Sequence, residues 1–239
     1  MKNSLRFLAL LLAFAAMLSP LSSYADSSAP DVAGLEEIPE GWFDDALFIG
    51  DSITCALYNY NLVFGGLDNA NIIYSNGFSC LRSAEKKYQM PFKGRMVNMG
   101  EAISQYAPGK IFLLFAMNDV GEPVENLRAA WNRLLDYVQQ HSDADIYIQS
   151  GTPIYDETGS FTNENMLELN EMLRDICIER GHTYVDITGG LTDEEGKLKK
   201  ELHLDYVHFN NDGCQIWIDT LHNPQVYFTA GSMEETNEK

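Results

Sequence analysis

Basic residues are scarce in this chain. Of 239 residues, 16 are lysine or arginine and 35 are aspartate or glutamate, a formal net charge of −19. Such a surface repels phosphate backbones and anionic headgroups, which excludes nucleic acid as a partner and disfavours anionic membranes. Cysteine is also sparse, with four residues and no CxxC or other zinc-type spacing, so no metal site is implied. Only one long apolar run exists, at the N-terminus, and no other stretch is long enough to span a bilayer. The chain lacks an internal repeat, a second domain and any strand-to-helix loop with the Gly/Ser/Thr run that cradles phosphate. A flavin-nucleotide binder is therefore unsupported, and no organic cofactor is implied.

What is present at the N-terminus is an export pattern. Lys2 and Arg6 precede the apolar core LRFLALLLAFAAMLSPL, and Ser23 and Ala25 supply a small-residue cleavage site. Residues 1–25 read as a signal peptide, which makes the protein secreted or extracytoplasmic. The rival is an uncleaved membrane anchor, against which Ser19 and Pro20 interrupt the apolar run. Residues 26–40 read as a linker or loosely docked arm, 41–228 as one domain, and 229–239 as a flexible acidic tail. In an exported protein Cys55, Cys80, Cys177 and Cys214 permit two disulfides in three pairings. Equally, Cys55 and Cys177 could be buried small hydrophobes.

Short apolar runs alternate with helical periodicity. Strands are expected at 46–50 (ALFIG), 71–76, 110–119 (KIFLLFAMND), 145–151 and 183–188. The 110–119 run is apolar on both faces, as a central parallel strand requires. Helices are expected at 52–60, 96–106, after Pro123 and at 212–221. After Pro123, Val124, Leu127, Trp131, Leu134, Leu135 and Val138 share one face, and Met166, Leu169, Met172, Leu173 and Ile176 mark another amphipathic helix. Strands alternating with helices imply an α/β fold with a parallel sheet covered on both faces. In such folds ligands sit outside the carboxyl ends of the strands.

Polar residues gather at those ends. Gly50-Asp51-Ser52 follows the first strand, Asn76-Gly77-Phe78 the second, and Asn118-Asp119 the third; Asp205-Tyr206-Val207-His208 precedes the last helix. Taken singly, Ser52 is a helix N-cap, Gly77 a turn glycine, Asn118 a loop residue and His208 a half-buried histidine. Together they suit acyl transfer. His208 can deprotonate Ser52, and Asp205 can orient the imidazole. The Ser52 and Gly77 N–H groups and the Asn118 amide can receive an oxyanion. Of the remaining histidines, His141, His182 and His222 have no partner pattern, and only His203, in the same loop, competes with His208 as base.

These four blocks resemble the SGNH, or GDSL, hydrolase family over roughly residues 46–221. Gly50-Asp51-Ser52 resembles its first block, Gly77 the second, Asn118-Asp119 the third and Asp205-x-x-His208 the fifth. The resemblance implies a flavodoxin-like three-layer α/β/α sandwich with a five-stranded parallel sheet. It also implies a serine esterase acting on acyl or acetyl esters of carbohydrates or cell-wall polymers, with lipid esters or thioesters as rivals. An acyltransferase, or a non-catalytic glycan-binding protein on the same scaffold, is a further alternative. Two positions depart from the family: Ala116 stands where the third block has glycine, and the first block reads G-D-S-I-T. A methyl at Ala116 is expected to tighten the approach of substrate to backbone. Thr54 also breaks the G-x-S-x-G spacing of a nucleophile-elbow lipase.

Overall fold

A computed structural model describes Val32 and residues 35–232. The expected signal peptide and the last seven residues of the expected tail lie outside the described residues. The main sheet is built from β1 (Ala46–Gly50), β2 (Asn71–Tyr74), β5 (Lys110–Leu114), β6 (Asp145–Gln149), β7 (Thr183–Val185) and β8 (Tyr227–Phe228). Their order is β2-β1-β5-β6-β7-β8. The five expected strands are present and parallel, but the sheet has six among the described residues. β8 pairs antiparallel with β7, Val185 opposite Tyr227 and Tyr184 opposite Phe228. A two-residue strand has no periodicity to reveal it.

All five residues of β1 are buried, as are Ile111–Leu114 of β5. The parallel register sets Phe48 beside Phe112 and Phe112 beside Tyr147. Their rings stack at 4.5 Å in both steps, forming an aromatic row across the three central strands. Offset stacks of this kind add about 0.5–1.5 kcal/mol per pair beyond area burial.

Helices α1 (Ser52–Phe64), α2 (Cys80–Ser83), α3 (Met99–Tyr106), α4 (Val124–Gln139), α5 (Asn163–Arg180) and α6 (Asn211–Leu221) flank the sheet. α1 packs on α6, while α4 packs on α2, α3 and α5. α4 follows Pro123 as expected, and buries Leu127, Trp131, Leu134, Leu135 and Val138 while Val124 stays at the margin. Each fully buried aliphatic side chain of that set stabilises by about 1.5–3 kcal/mol relative to exposure.

The helix expected over 96–106 starts only at Met99, because residues 96–98 belong to a strand. β3 (Gln89–Phe92) and β4 (Arg95–Asn98) form a hairpin with Met90 opposite Val97, and Asn98 then caps α3 through the Glu101 N–H at 2.8 Å. Pro91 inside β3 hides it in the sequence, since proline is confined to edge positions of sheets. The permitted disulfides do not form: all four cysteines are free. Cys80, Cys177 and Cys214 are buried and fill core volume, and burial pushes the Cys214 thiol up to about 12. Within the 26–40 arm, Val32 and Ile38 are buried in the core. At the other end, Thr229 and Ser232 close a hydrogen-bonded turn, Thr229 N–H donating to Ser232 Oγ at 2.9 Å.

Candidate active site

The sequence of the sheet fixes where the site lies. The chain leaves β1 toward β2 on one side, while β5 pairs on the other, so the carboxyl end of β1 is a topological switch point. Gly50 ends β1 in a place only glycine fits, because a Cβ there would lie 2.8 Å from the Leu114 carbonyl oxygen. Asp51 follows and is fully buried. Its Oδ1 accepts the Ile53 N–H at 2.9 Å, so Asp51, not Ser52, is the N-cap of α1. Ser52 becomes the first helical residue, half-buried, with its N–H among the unpaired donors of the helix start.

His208 Nε2 lies 2.8 Å from Ser52 Oγ. On the other side of the ring, Nδ1 lies 2.8 and 2.9 Å from the two Asp205 oxygens. Nδ1 therefore carries the proton and Nε2 is free to accept from the serine hydroxyl. Asp205 Oδ1 also accepts the His208 backbone N–H at 3.0 Å, so one carboxylate orders both the loop and the ring. Burial raises the Asp205 carboxyl, but hydrogen bonds from the His208 N–H and ring, with the His208 charge, outweigh it. The net effect holds Asp205 below the usual carboxylate range.

The loop reaches this geometry through a left-handed residue. Tyr206 has φ of +72°, uncommon outside glycine, asparagine and aspartate. Its carbonyl accepts the Tyr155 N–H at 2.9 Å, and Leu204 N–H donates to the His208 carbonyl at 2.8 Å. His203 accepts the Tyr206 N–H at 3.1 Å and packs on Tyr155 at 4.4 Å, so it supports the loop while His208 faces the serine. His141 and His222 each contact a backbone carbonyl, at 2.8 and 2.7 Å.

Asn118 sits half-buried in the loop after β5. Its Nδ2 donates to Asp51 Oδ2 at 3.1 Å, and its carbonyl accepts from Arg82 Nη2 at 2.9 Å. One amide hydrogen is thus used for positioning and the second is free for a ligand. Gly77 adopts φ of +70° in an exposed turn, closed by Phe78 N–H donating to Ser75 at 3.0 Å. Ser75 N–H donates to the Gly50 carbonyl at 3.0 Å, which ties this turn to the end of β1. Ala116 is buried with its methyl against Gly151, where a Cβ would come within 2.8 Å of it. The expected crowding of substrate by Ala116 does not arise, because that methyl faces the core.

Two carboxylates that sequence reasoning left without a role complete the site. Burial pushes the Asp51 carboxyl up to about 7, against the lowering hydrogen bonds of Ile53 and Asn118. Asp119 is buried, accepts Ser79 Oγ–H and the Cys80 N–H at 2.6 Å, and is raised by that burial. Both lie inside the quoted blocks, beside Ser52 and Asn118, which was the available signal. No group of three His, Cys, Asp or Glu able to hold a metal occurs among the described residues. No helix among them is long and apolar enough to cross a membrane.

The sequence profile of the GDSL-like Lipase/Acylhydrolase family matches residues 48–216. The chain belongs to that family. It is accordingly an ester hydrolase of the GDSL type. No curated protein matches it in sequence. Solved structures share the fold of this GDSL-like hydrolase. A GDSL-like lipase from Bacteroides thetaiotaomicron is 13% identical, covering 80% of this chain and 91% of that one, with a TM-score of 0.60. An acetylxylan esterase from Geobacillus stearothermophilus is 15% identical, covering 74% and 91%, with a TM-score of 0.54. A carbohydrate esterase of family 3 from Talaromyces cellulolyticus is 11% identical, covering 81% and 97%, with a TM-score of 0.53.

Proposed function

We propose that this GDSL-type hydrolase is an exported serine esterase working through Ser52, His208 and Asp205. The observation that carries the reading is the unbroken chain of hydrogen bonds from Ser52 Oγ through the His208 ring to the Asp205 carboxylate. Ser52 Oγ attacks the ester carbonyl carbon as its proton passes to His208 Nε2. The resulting oxyanion is held by the free Asn118 amide hydrogen and the N–H groups of Ser52 and Gly77. Collapse breaks the bond to the alcohol oxygen, which takes the proton from His208 and departs. Water then attacks the acyl-serine, again giving its proton to His208, and Ser52 is restored as the acid leaves.

Asp205 holds the proton on Nδ1 and stabilises the imidazolium that forms in each half-reaction. Export rests on the signal pattern at 1–25, with 41–228 as the hydrolase domain. Acyl or acetyl esters on carbohydrate or cell-wall polymers are the substrate class the sequence favours. The names of the acetylxylan and carbohydrate esterases sharing the fold support it. A specific observation favours the second reading, an ester with an apolar chain: Val63, Phe64 and Leu204 are exposed along a groove that reaches Ser52. Turnover of short- and long-chain esters and acetylated polysaccharides by wild type and Ser52→Ala tests the reading. Loss of all ester turnover in a folded Ser52→Ala protein is expected; turnover equal to wild type overturns it.

A further inference from the structure

Beside Ser52 lies an open groove of about 850 Å³. Ser52, Ala56, Val63 and Phe64 form one wall along α1, and Leu204 and His208 stand in the opposing loop. The two residues proposed to carry the oxyanion in the neighbouring loops, Gly77 and Asn118, do not line it. This asymmetry has a chemical consequence. In acyl transfer the departing alcohol oxygen takes its proton from the imidazole, so the alcohol must sit on the histidine side of the serine. The carbonyl oxygen faces the opposite way, toward its hydrogen-bond donors.

Resting on the serine-esterase mechanism and on the second of the two substrate readings above, we infer that the α1 groove receives the alcohol half of the ester, and that this alcohol bears an extended apolar chain without negative charge. Three observations shape the occupant. First, Val63, Phe64 and Leu204 are 70%, 60% and 73% exposed, so these large apolar side chains have most of their surface free for another molecule. Contiguous exposed apolar surface of this kind marks a binding site more often than scattered single residues do. Second, Val63 stands eleven residues beyond Ser52 on one helix, a run of about 16 Å at 1.5 Å per residue. A groove of that length matches a chain and exceeds what a methyl or ethyl alcohol would fill. Third, the charged residue lining the groove is the acidic Asp212, and the whole protein carries −19, which disfavours an anionic occupant.

Two homologous ester series separate the halves of the substrate. In one, the acyl group is fixed as acetate and the alcohol lengthens from methyl to butyl to octyl. In the other, the alcohol is fixed as ethyl and the acid lengthens over the same range. Each buried methylene contributes up to about 0.8 kcal/mol, so even partial burial gives at least a roughly tenfold rise in kcat/KM from butyl to octyl acetate. Val63→Asp and Phe64→Ser change exposed positions, and each is expected to lower the octyl-to-methyl acetate ratio by about fivefold or more. A flat alcohol series overturns the inference, as does a chain-length dependence confined to the acid series. Calorimetric binding of 1-octanol to Ser52→Ala protein, weakened by Val63→Asp, reads the groove without turnover. Octanol binding with no hydrolysis of any ester would retain the groove and overturn the catalytic reading. Hydrolysis that needs Ser52, without octanol binding, would overturn the groove alone.

Discussion

The Asp51 carboxylate accepts the Asn118 amide at 3.1 Å while capping α1 through the Ile53 N–H at 2.9 Å. Two loops that leave adjacent strands, β1 and β5, are thereby locked to each other by one buried group. The residue before the proposed nucleophile holds a proposed oxyanion donor, and it does so at the helix terminus from which Ser52 projects. Positioning of this kind matters because donors must be aimed before charge develops.

Asn118→Ala removes the free amide hydrogen and leaves Asp51 without one of its partners. Turnover should fall by roughly 10²- to 10³-fold, the usual cost of deleting one oxyanion donor. The check is kcat on an activated acetate ester, with circular dichroism to establish folding. A loss below about threefold excludes the role.

Asp51 gives stability a particular pH dependence. Its carboxyl has an ordinary value of 3.8 and is raised by burial to about 7 in the fold. Between those values the folded state keeps a proton that the unfolded chain has lost, so stability from this group is fully present below pH 4 and declines as pH rises to 7. His182 runs the other way, lowered to about 4 by burial, so the Asp51 effect must be read as a difference. Asp51→Asn cannot ionise and loses one hydrogen bond at every pH. The Tm of wild type minus that of Asp51→Asn should therefore fall between pH 4 and pH 7. A difference independent of pH would show that Asp51 is ionised in the fold throughout.

Asp205→Asn keeps the shape of the loop but presents an amide to His208 Nδ1, favouring the wrong tautomer. The expected loss in kcat/KM is about 10²- to 10⁴-fold, below the upper end because the Asp205 side chain is 58% exposed and water can stand in. A loss below about tenfold would place His208 under other control.

Much of this site was legible because its parts are local motifs with local causes. Gly50-Asp51-Ser52 follows a wholly apolar strand, and Asp205 stands three residues before His208, a spacing one carboxylate can bridge. The parallel sheet was legible from the apolar runs of β1, β5 and β6. What escaped depends on distant partners. β8 is two residues long and exists only because β7 has a free edge. The hairpin before α3 is masked by Pro91 and by apolar residues that suit either a strand or a helix. Taken singly, Ser52 suits the cap of α1, but the cap falls one residue earlier because the Asp51 carboxylate can bond both Ile53 and Asn118. The cysteines lie on separate elements, and pairing them is a question of three-dimensional distance that spacing does not answer.

The central claim is that His208 activates Ser52, and a fluorophosphonate probe tests it most directly. Such a probe reacts with a serine oxygen only when a base withdraws its proton. Mass spectrometry of the labelled protein should find one adduct, on Ser52, abolished in Ser52→Ala and slowed by orders of magnitude in His208→Ala. Absence of labelling at Ser52 in the folded wild-type protein, or labelling at the same rate without His208, would contradict the account.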